Sequence, residues 1–342
     1  MTTEREQSQI SIVLPTYNGT RYLREAIESC LAQTYARVEL IIVDDGSTDA
    51  RTGEILAGAR EVGGREVEGR ETGGREADGS DAKAHEGGAC GARPSEARAG
   101  GQRGAGPRIR VVSLERNMGL PGALNAGFRE ARGEWLTWTS DDNLYRPNAL
   151  EVMARELGRG DADFVYARAA VIDEAGAIVG AIVPRPPKSL ILDNCIGPCF
   201  LYTREVLRRT GEFDPAMSLV EDYEYWIRVS KRFRMRPIDE NLYLYRRHSA
   251  ALSSVEGRRR VTEMANKARR QHFRPCEILA ADGLRAFDRG DLREARGLLL
   301  AALARWPWRW DLYRPVAICV LPGFAVRVIV RAKAVFRGRS LS

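Results

Sequence analysis

No uninterrupted apolar run in this chain approaches ~18 residues, which argues against a membrane-spanning helix. Met1 to Gln9 is polar with no apolar core, so a secretory signal is not expected. The six cysteines, at 30, 90, 195, 199, 276 and 319, form no CxxC pair, and Cys195-x3-Cys199 alone is too little for a metal centre. They are expected to be reduced and mostly buried thiols of a cytosolic protein. No GxGxxG follows the first apolar run, which disfavours a dinucleotide oxidoreductase.

Residues 57–108 lack aromatics, Leu and Ile, and they hold 14 glycines. Arg-Glu recurs at 60, 65, 70 and 75, a period that matches neither helix nor strand. Nine basic and nine acidic side chains cancel, and nothing apolar is left to bury. A low-complexity, disordered insertion within a loop is expected, with a flexible flap as the alternative.

What remains is ordinary for a soluble globular protein, with 44% apolar residues and room in 342 residues for a large domain plus an extension. The net charge of +7 is uneven, because residues 256–342 hold 19 Lys/Arg against 8 Asp/Glu. The partner implied by this basicity therefore belongs to the tail. Tyr313–Val330 sets Ile318, Val320, Leu321 and Phe324 beside Arg314, Arg327 and Arg331. Mixed apolar and basic residues suit an anionic membrane surface better than a nucleic acid, with a helix packed on the rest of the protein, its arginines solvated, as the alternative. Pro322 and Arg327 argue against a span.

Ile10–Leu14 and Val38–Val43 are apolar β-type runs around a helix with Leu23, Ala26, Ile27, Cys30 and Leu31 on one face. Apolar strands separated by a helix imply a mostly parallel sheet with helices on both faces. Ile109–Leu114 and Glu134–Thr139 are the next strands. Phe164–Ala170 and Ala177–Val183 read as a hairpin, Glu221–Lys231 as a helix, and Ile278–Ala304 as a helical pair broken at Arg289-Gly290-Asp291.

Five polar motifs punctuate this pattern: Pro15-Thr16-Tyr17-Asn18, Asp44-Asp45-Gly46-Ser47, Asn117-x-Gly119, Ser140-Asp141-Asp142-Asn143 and Glu221-Asp222. The first, second and fourth follow apolar runs directly, at the strand ends where open α/β sheets bind ligands. Asp45 there can accept from a base or a ribose hydroxyl, or it can build an Asp-Gly-Ser turn. Adjacent Asp141 and Asp142 repel, which a hard cation such as Mg2+ or Mn2+ resolves, although either could cap the next helix. Asp222 is a general base or a complement to its helix dipole. His248 can complete a metal shell or serve the structure alone.

The five ordered motifs, with Gly211-x-Phe213-Asp214, resemble family 2 glycosyltransferases of the GT-A fold over roughly residues 9 to 250, once 57–108 is excised. The resemblance implies an α/β GT-A domain at 9–250 and a basic helical extension at 251–342. Pro15, Thr16, Tyr17, Asn18, Asp45, Asn117 and Asp141 would line the nucleotide, with Thr16, Tyr17 and Asp45 on the nucleoside and Asp141 on the ribose side. Asp142 and His248 would hold Mg2+ or Mn2+, and Asp222 would be the base of an inverting transfer. The family's Asp-x-Asp usually begins with Asp, whereas Thr139 stands here. The implied reaction moves a sugar from a nucleotide-diphosphate donor, UDP-sugar first, to a hydroxyl acceptor that is lipid-linked in one reading. Cell-surface polysaccharide or glycoconjugate synthesis, in the cytoplasm or on the inner face of the membrane, would be its setting. A nucleotidyltransferase, or a GT-A protein that binds without catalysis, is the alternative. The first is disfavoured because Thr16–Tyr22 lacks a Gly-rich basic loop, the second because Asp142 and Asp222 are both present.

Overall fold

The computed structural model describes residues 8–63, 108–248 and 255–320. Strand β1 (Ile10–Thr16) is buried along its whole length, with Ile10, Ile12 and Leu14 in one core and Val13 in the other. Alternation of side chains across a strand produces this split. β2 (Val38–Asp44) repeats it, Leu40 and Ile42 against Ile41 and Val43. Both faces are covered, as expected of parallel strands.

β3 (Arg108–Ser113), β2, β1 and β4 (Trp135–Trp138) form the parallel half of the sheet. Beyond β4 the order continues β8 (Phe200–Thr203), β6 (Phe164–Ile172), β9 (Met235–Arg246) and β5 (Leu144–Tyr145), with β7 (Ile178–Ile182) paired to β6. Here only β6 and β9 run parallel; β4–β8, β6–β8, β6–β7 and β5–β9 are antiparallel. The sheet is thus mixed rather than mostly parallel. β7 and β8 both run antiparallel to β6, opposite residues 169–172 and 164–166, so the chain continues along β6 through a short 3-10 turn, Pro187–Ile191, without the crossover helix that would have placed a parallel neighbour there. Along β6 and β9 the register slips: Ala167 pairs with Ile238 but Ala169 with Tyr243. Asn241 Oδ1 accepts the Ala170 N–H at 2.9 Å across this irregularity.

Helices α1 (Leu23–Leu31) and α4 (Ala149–Gly158) bury their apolar faces in the Ile10–Leu14 core. α3 (Gly119–Glu130), α5 (Arg204–Thr210) and α6 (Glu221–Ser230) cover the other face, over Val13, Ile41 and Val43. α2 (Ala50–Gly63) packs Leu56 and Ala59 beside α1. It therefore runs into the segment that composition assigns to the insertion, and Arg108 at that segment's far end opens β3. Ala, Arg and Glu favour helix, and Ala59 is buried, so the helix continues where the composition turns polar. The rest of that insertion lies outside the described residues.

α7 (Val255–His272) docks on the α6 face through Ala268, and His272 Nε2 lies 2.7 Å from Glu224 Oε1. α8 (Pro275–Arg289), α9 (Leu292–Arg305) and α10 (Tyr313–Val320) form a small core of their own around Ala286, Leu299 and Leu312. The expected break between α8 and α9 is made by Asp291, whose carboxylate accepts the Glu294 N–H at 3.0 Å as an N-cap. Among the described residues no helix is long and apolar enough to cross a membrane. Most of the apolar and basic stretch expected beyond Pro315 lies outside them.

Candidate active site

The carboxyl ends of β1, β2 and β4 lie side by side because these strands pair in register, Thr16 opposite Asp44 and Val13 opposite Trp138. Their motifs then bond to one another. Thr16 Oγ1 donates to Asp141 Oδ2 at 2.6 Å. Asn18, at φ 55, accepts the Thr48 and Asp49 N–H groups on Oδ1, both at 2.9 Å, while its own N–H donates to Ser47 Oγ. Asp45 Oδ1 accepts the Met118 N–H at 2.7 Å, linking the second motif to the third. Gly46 allows this approach: at φ 71 it lies so near the Arg116–Asn117 backbone that a Cβ would come within 2.7 Å. Asn117 itself accepts the Gly119 N–H at 2.9 Å and so shapes its own turn. Pro15 is a buried strand residue and Tyr17 is half exposed.

Asp45 is buried, and desolvation raises its pKa, against which the Met118 and Gly119 N–H groups pull down. Asp141 is pushed up to about 6, first by burial; the Thr16 hydrogen bond lowers it, the Asp142 charge raises it, and His248 lowers it. Gly19 guards this corner. A Cβ there would lie 1.9 Å from Asp141 Oδ2 and 2.4 Å from Thr16 Oγ1, so no side chain fits without breaking their bond.

Asp142 Oδ2 lies 3.0 Å from His248 Nε2, while Asp142 Oδ1 is buried without a hydrogen-bond partner. An orphaned buried carboxylate oxygen is costly unless something electropositive meets it. A hard cation taking one oxygen and one imidazole, and keeping sites for water or phosphate, fits this donor set. Among the described residues no cluster of three or more His, Cys, Asp or Glu is arranged to hold a metal, so protein ligands would be few. Thr139, at the Asp-x-Asp position, is not among them. Its hydroxyl is 2.6 Å from the Tyr243 hydroxyl in the core.

β9 delivers His248, and Arg246 fixes its approach. Arg246 donates to Glu25 at 2.7 Å and to the Asp142 carbonyl at 3.2 Å, its N–H reaches Asn143 Oδ1 at 2.8 Å, and its guanidinium lies 4.3 Å from the Tyr22 ring centroid. Sequence reasoning missed Arg246, Tyr22, Glu25 and Gly19. Gly19 directly after Asn18, and Arg246 two residues before His248, were the available signals.

Asp222 lies in the first turn of α6, where Tyr223 N–H donates to its Oδ1 at 2.6 Å and Asn194 Nδ2 to its Oδ2 at 2.7 Å. Desolvation holds it above the ordinary carboxylate range, and those two donors oppose the rise. Glu221 beside it is buried and raised by burial and then by the Asp222 charge, with Oε2 unpartnered. Tyr245 on β9 is raised first by burial and then by the charges of Asp142 and Asp222, so both carboxylates lie within electrostatic reach of one ring. A cavity of about 320 Å³ lies instead at the amino ends of the strands, lined by Ser8, Glu134, Asp163, Arg204 and Arg234. Those groups satisfy one another: Ser8 pairs with Glu134, Arg234 with Asp163, and Arg204 with backbone carbonyls.

A mixed sheet with polar loops at the carboxyl ends of its parallel strands, covered by helices on both faces, defines the GT-A architecture. The sequence profile described as "Glycosyl transferase family 2" matches residues 11–73 and 95–211, and the chain belongs to that family. An uncharacterized glycosyltransferase of Rickettsia felis is 27% identical over 284 residues, 79% of this chain and 37% of that protein. The chain thus spans well under half the length of that relative. Two solved structures share the fold. S. aureus TarS 1–349 in complex with UDP-GlcNAc has a TM-score of 0.53 at 14% identity, covering 86% of this chain and 80% of that one. The mannosyltransferase PcManGT from Pyrobaculum calidifontis, in complex with GDP-Man and Mn2+, has a TM-score of 0.51 at 16% identity, covering 96% and 80%. At such identities the likeness concerns the fold alone.

Proposed function

We propose that this chain transfers a sugar from a nucleoside-diphosphate sugar to a hydroxyl acceptor, with inversion and with help from Mg2+ or Mn2+. The observation that carries the reading is Asp142, its one oxygen against His248 and the other buried and unpartnered, beside the nucleotide-type cluster Thr16, Asp45 and Asp141. Thr16, Tyr17, Asp45 and Asp141 bind the nucleoside; Pro15, Asn18 and Asn117 shape the loops that hold it. Asp142 and His248 hold the cation, which when bound carries the negative charge of the departing diphosphate. Asp222 takes the proton of the acceptor hydroxyl. The hydroxyl oxygen bonds to the anomeric carbon as the bond to the diphosphate breaks and its electron pair leaves with that group. A single displacement inverts the centre.

The fold neighbours solved with UDP-GlcNAc and with GDP-Man and Mn2+ support a nucleotide-sugar donor and a divalent ion, with a UDP-sugar the first candidate. The test offers UDP-, GDP- and dTDP-sugars with Mn2+ and scores free nucleoside diphosphate, which is expected from one donor class and is lost in EDTA. Pyrophosphate from a nucleoside triphosphate and sugar phosphate would favour a nucleotidyltransferase instead. No product from any donor would leave only a binding protein.

The domain limits, 9–250 for the transferase with its insertion and 251–342 for the extension, are part of the same proposal. So is a setting in cell-surface polysaccharide or glycoconjugate synthesis, with a lipid-linked acceptor and peripheral contact with the inner face of the membrane. Trp308 and Trp310, exposed by 67% and 77% between α9 and α10, support that contact, since such rings favour the headgroup region. Flotation with anionic liposomes is expected to carry the full chain upward at low salt. Failure to float would overturn the membrane contact.

A further inference from the structure

The loop between β7 and β8 is tied down from both sides. Tyr223 OH of α6 donates to the Leu190 carbonyl. From α7, Arg269 Nε donates to the Ile191 carbonyl at 2.7 Å and Nη2 to Asp282 of α8 at 2.6 Å. Asp193 accepts from Arg185 within the loop and from Arg285 of α8. The next residue is Asn194. Its Oδ1 takes the Ile196 N–H at 3.4 Å, which leaves the amide nitrogen to face Asp222. Asn194 is exposed, so the contact lies on the solvent-facing side of the Asp222 carboxylate. The matched family region ends at residue 211, so the helices that hold this loop lie wholly beyond it.

We propose that Asn194 is a positioning residue for Asp222, and that the C-terminal helices keep it there through the Arg285–Asp193 pair. The proposal rests on the reading of Asp222 as the base. With Tyr223 N–H on one oxygen and Asn194 on the other, the carboxylate cannot rotate freely, and each oxygen keeps a lone pair for the incoming proton. A donor to a carboxylate also favours its ionised form. Asn194 thus offsets the burial that acts against ionisation of Asp222, whose charge in turn helps to raise neighbouring Glu221. The other charged or titratable groups facing the pair are Tyr245 from β9 and Asp193 from the loop, the latter neutralised by Arg185 and Arg285.

The experiment measures turnover against pH with the donor identified by nucleoside diphosphate release, Mn2+ present and water as acceptor. A base must be unprotonated, so turnover falls as pH drops through its pKa. Asn194→Ala is expected to move that acid limb up by about one pH unit, and Asn194→Asp further, with nucleotide affinity unchanged. Arg285→Ala is expected to shift the limb in the same direction and to add nothing in the Asn194→Ala background. A fall in turnover without movement of the limb would overturn the positioning role. An additional shift in the double variant would overturn the clamp. Survival of the limb in Asp222→Asn would instead remove the base on which the proposal rests, an outcome distinct from the other two.

Discussion

Asp222→Asn is expected to lower turnover by ~10²–10⁴, the usual contribution of a positioned general base, and to leave donor affinity unchanged. The asparagine keeps the shape and can still accept the Tyr223 N–H, so the first turn of α6 should survive. In the native protein the folded pKa of Asp222 is raised, so the loss of turnover on acidification begins above the ordinary carboxylate range. That limb should vanish from the residual activity of the variant. A variant with full turnover would reduce Asp222 to a partner for its helix dipole, worth at most about 1 kcal/mol at an exposed site.

Asp142→Asn is expected to weaken Mn2+-dependent nucleotide binding by at least about 10-fold, a typical loss when a metal site is disturbed. Thermal stability should change little or improve. Asp142 Oδ1 makes no hydrogen bond, and the variant removes a charge that pushes up the pKa of neighbouring Asp141. His248 can still bond to the amide. Titration of UDP and GDP by calorimetry, with Mn2+ and then with EDTA, reads the effect. Equal affinity in the two conditions for the native protein would remove the metal from the site altogether.

The amino-terminal half of this molecule was open to reading because its strands are short apolar runs that stop at polar residues. In β1, β2 and β4 the chemistry sits directly after the hydrophobic pattern, so place and function share one signal. The other half gave no such signal. β8 is only four residues long, Phe200–Thr203, and its antiparallel course depends on which neighbours it pairs with. The end of α2 was hidden because composition changes at Ala57 while the helix persists to Gly63. The motif residues were legible one by one, but their bonding was not. Thr16 meets Asp141 across 125 residues, and Arg246 meets Glu25 across 221. Thr139 shows the same limit. Its departure from the expected Asp left the count of metal ligands open, and only its bond to Tyr243 assigns it to the core.

The slipped register between β6 and β9 sets a spacing rule for the whole carboxyl half. β9 starts opposite Phe164, far from the site, and must end with Arg246 and His248 at Asp142. Each strand residue advances the chain by about 3.3 Å. Of the three residues taken up at the slip, Leu242 is buried in the core, whereas Asp239 and Glu240 are exposed, Asp239 by 86% at its side chain. The identities of these two are therefore free to drift, but their number is not. Removing one would draw His248 back from its partner by a full residue and turn neighbouring side chains to the wrong face. Asp239 and Glu240 should accept almost any polar substitution and almost no insertion or deletion beside them, the reverse of what a surface loop tolerates.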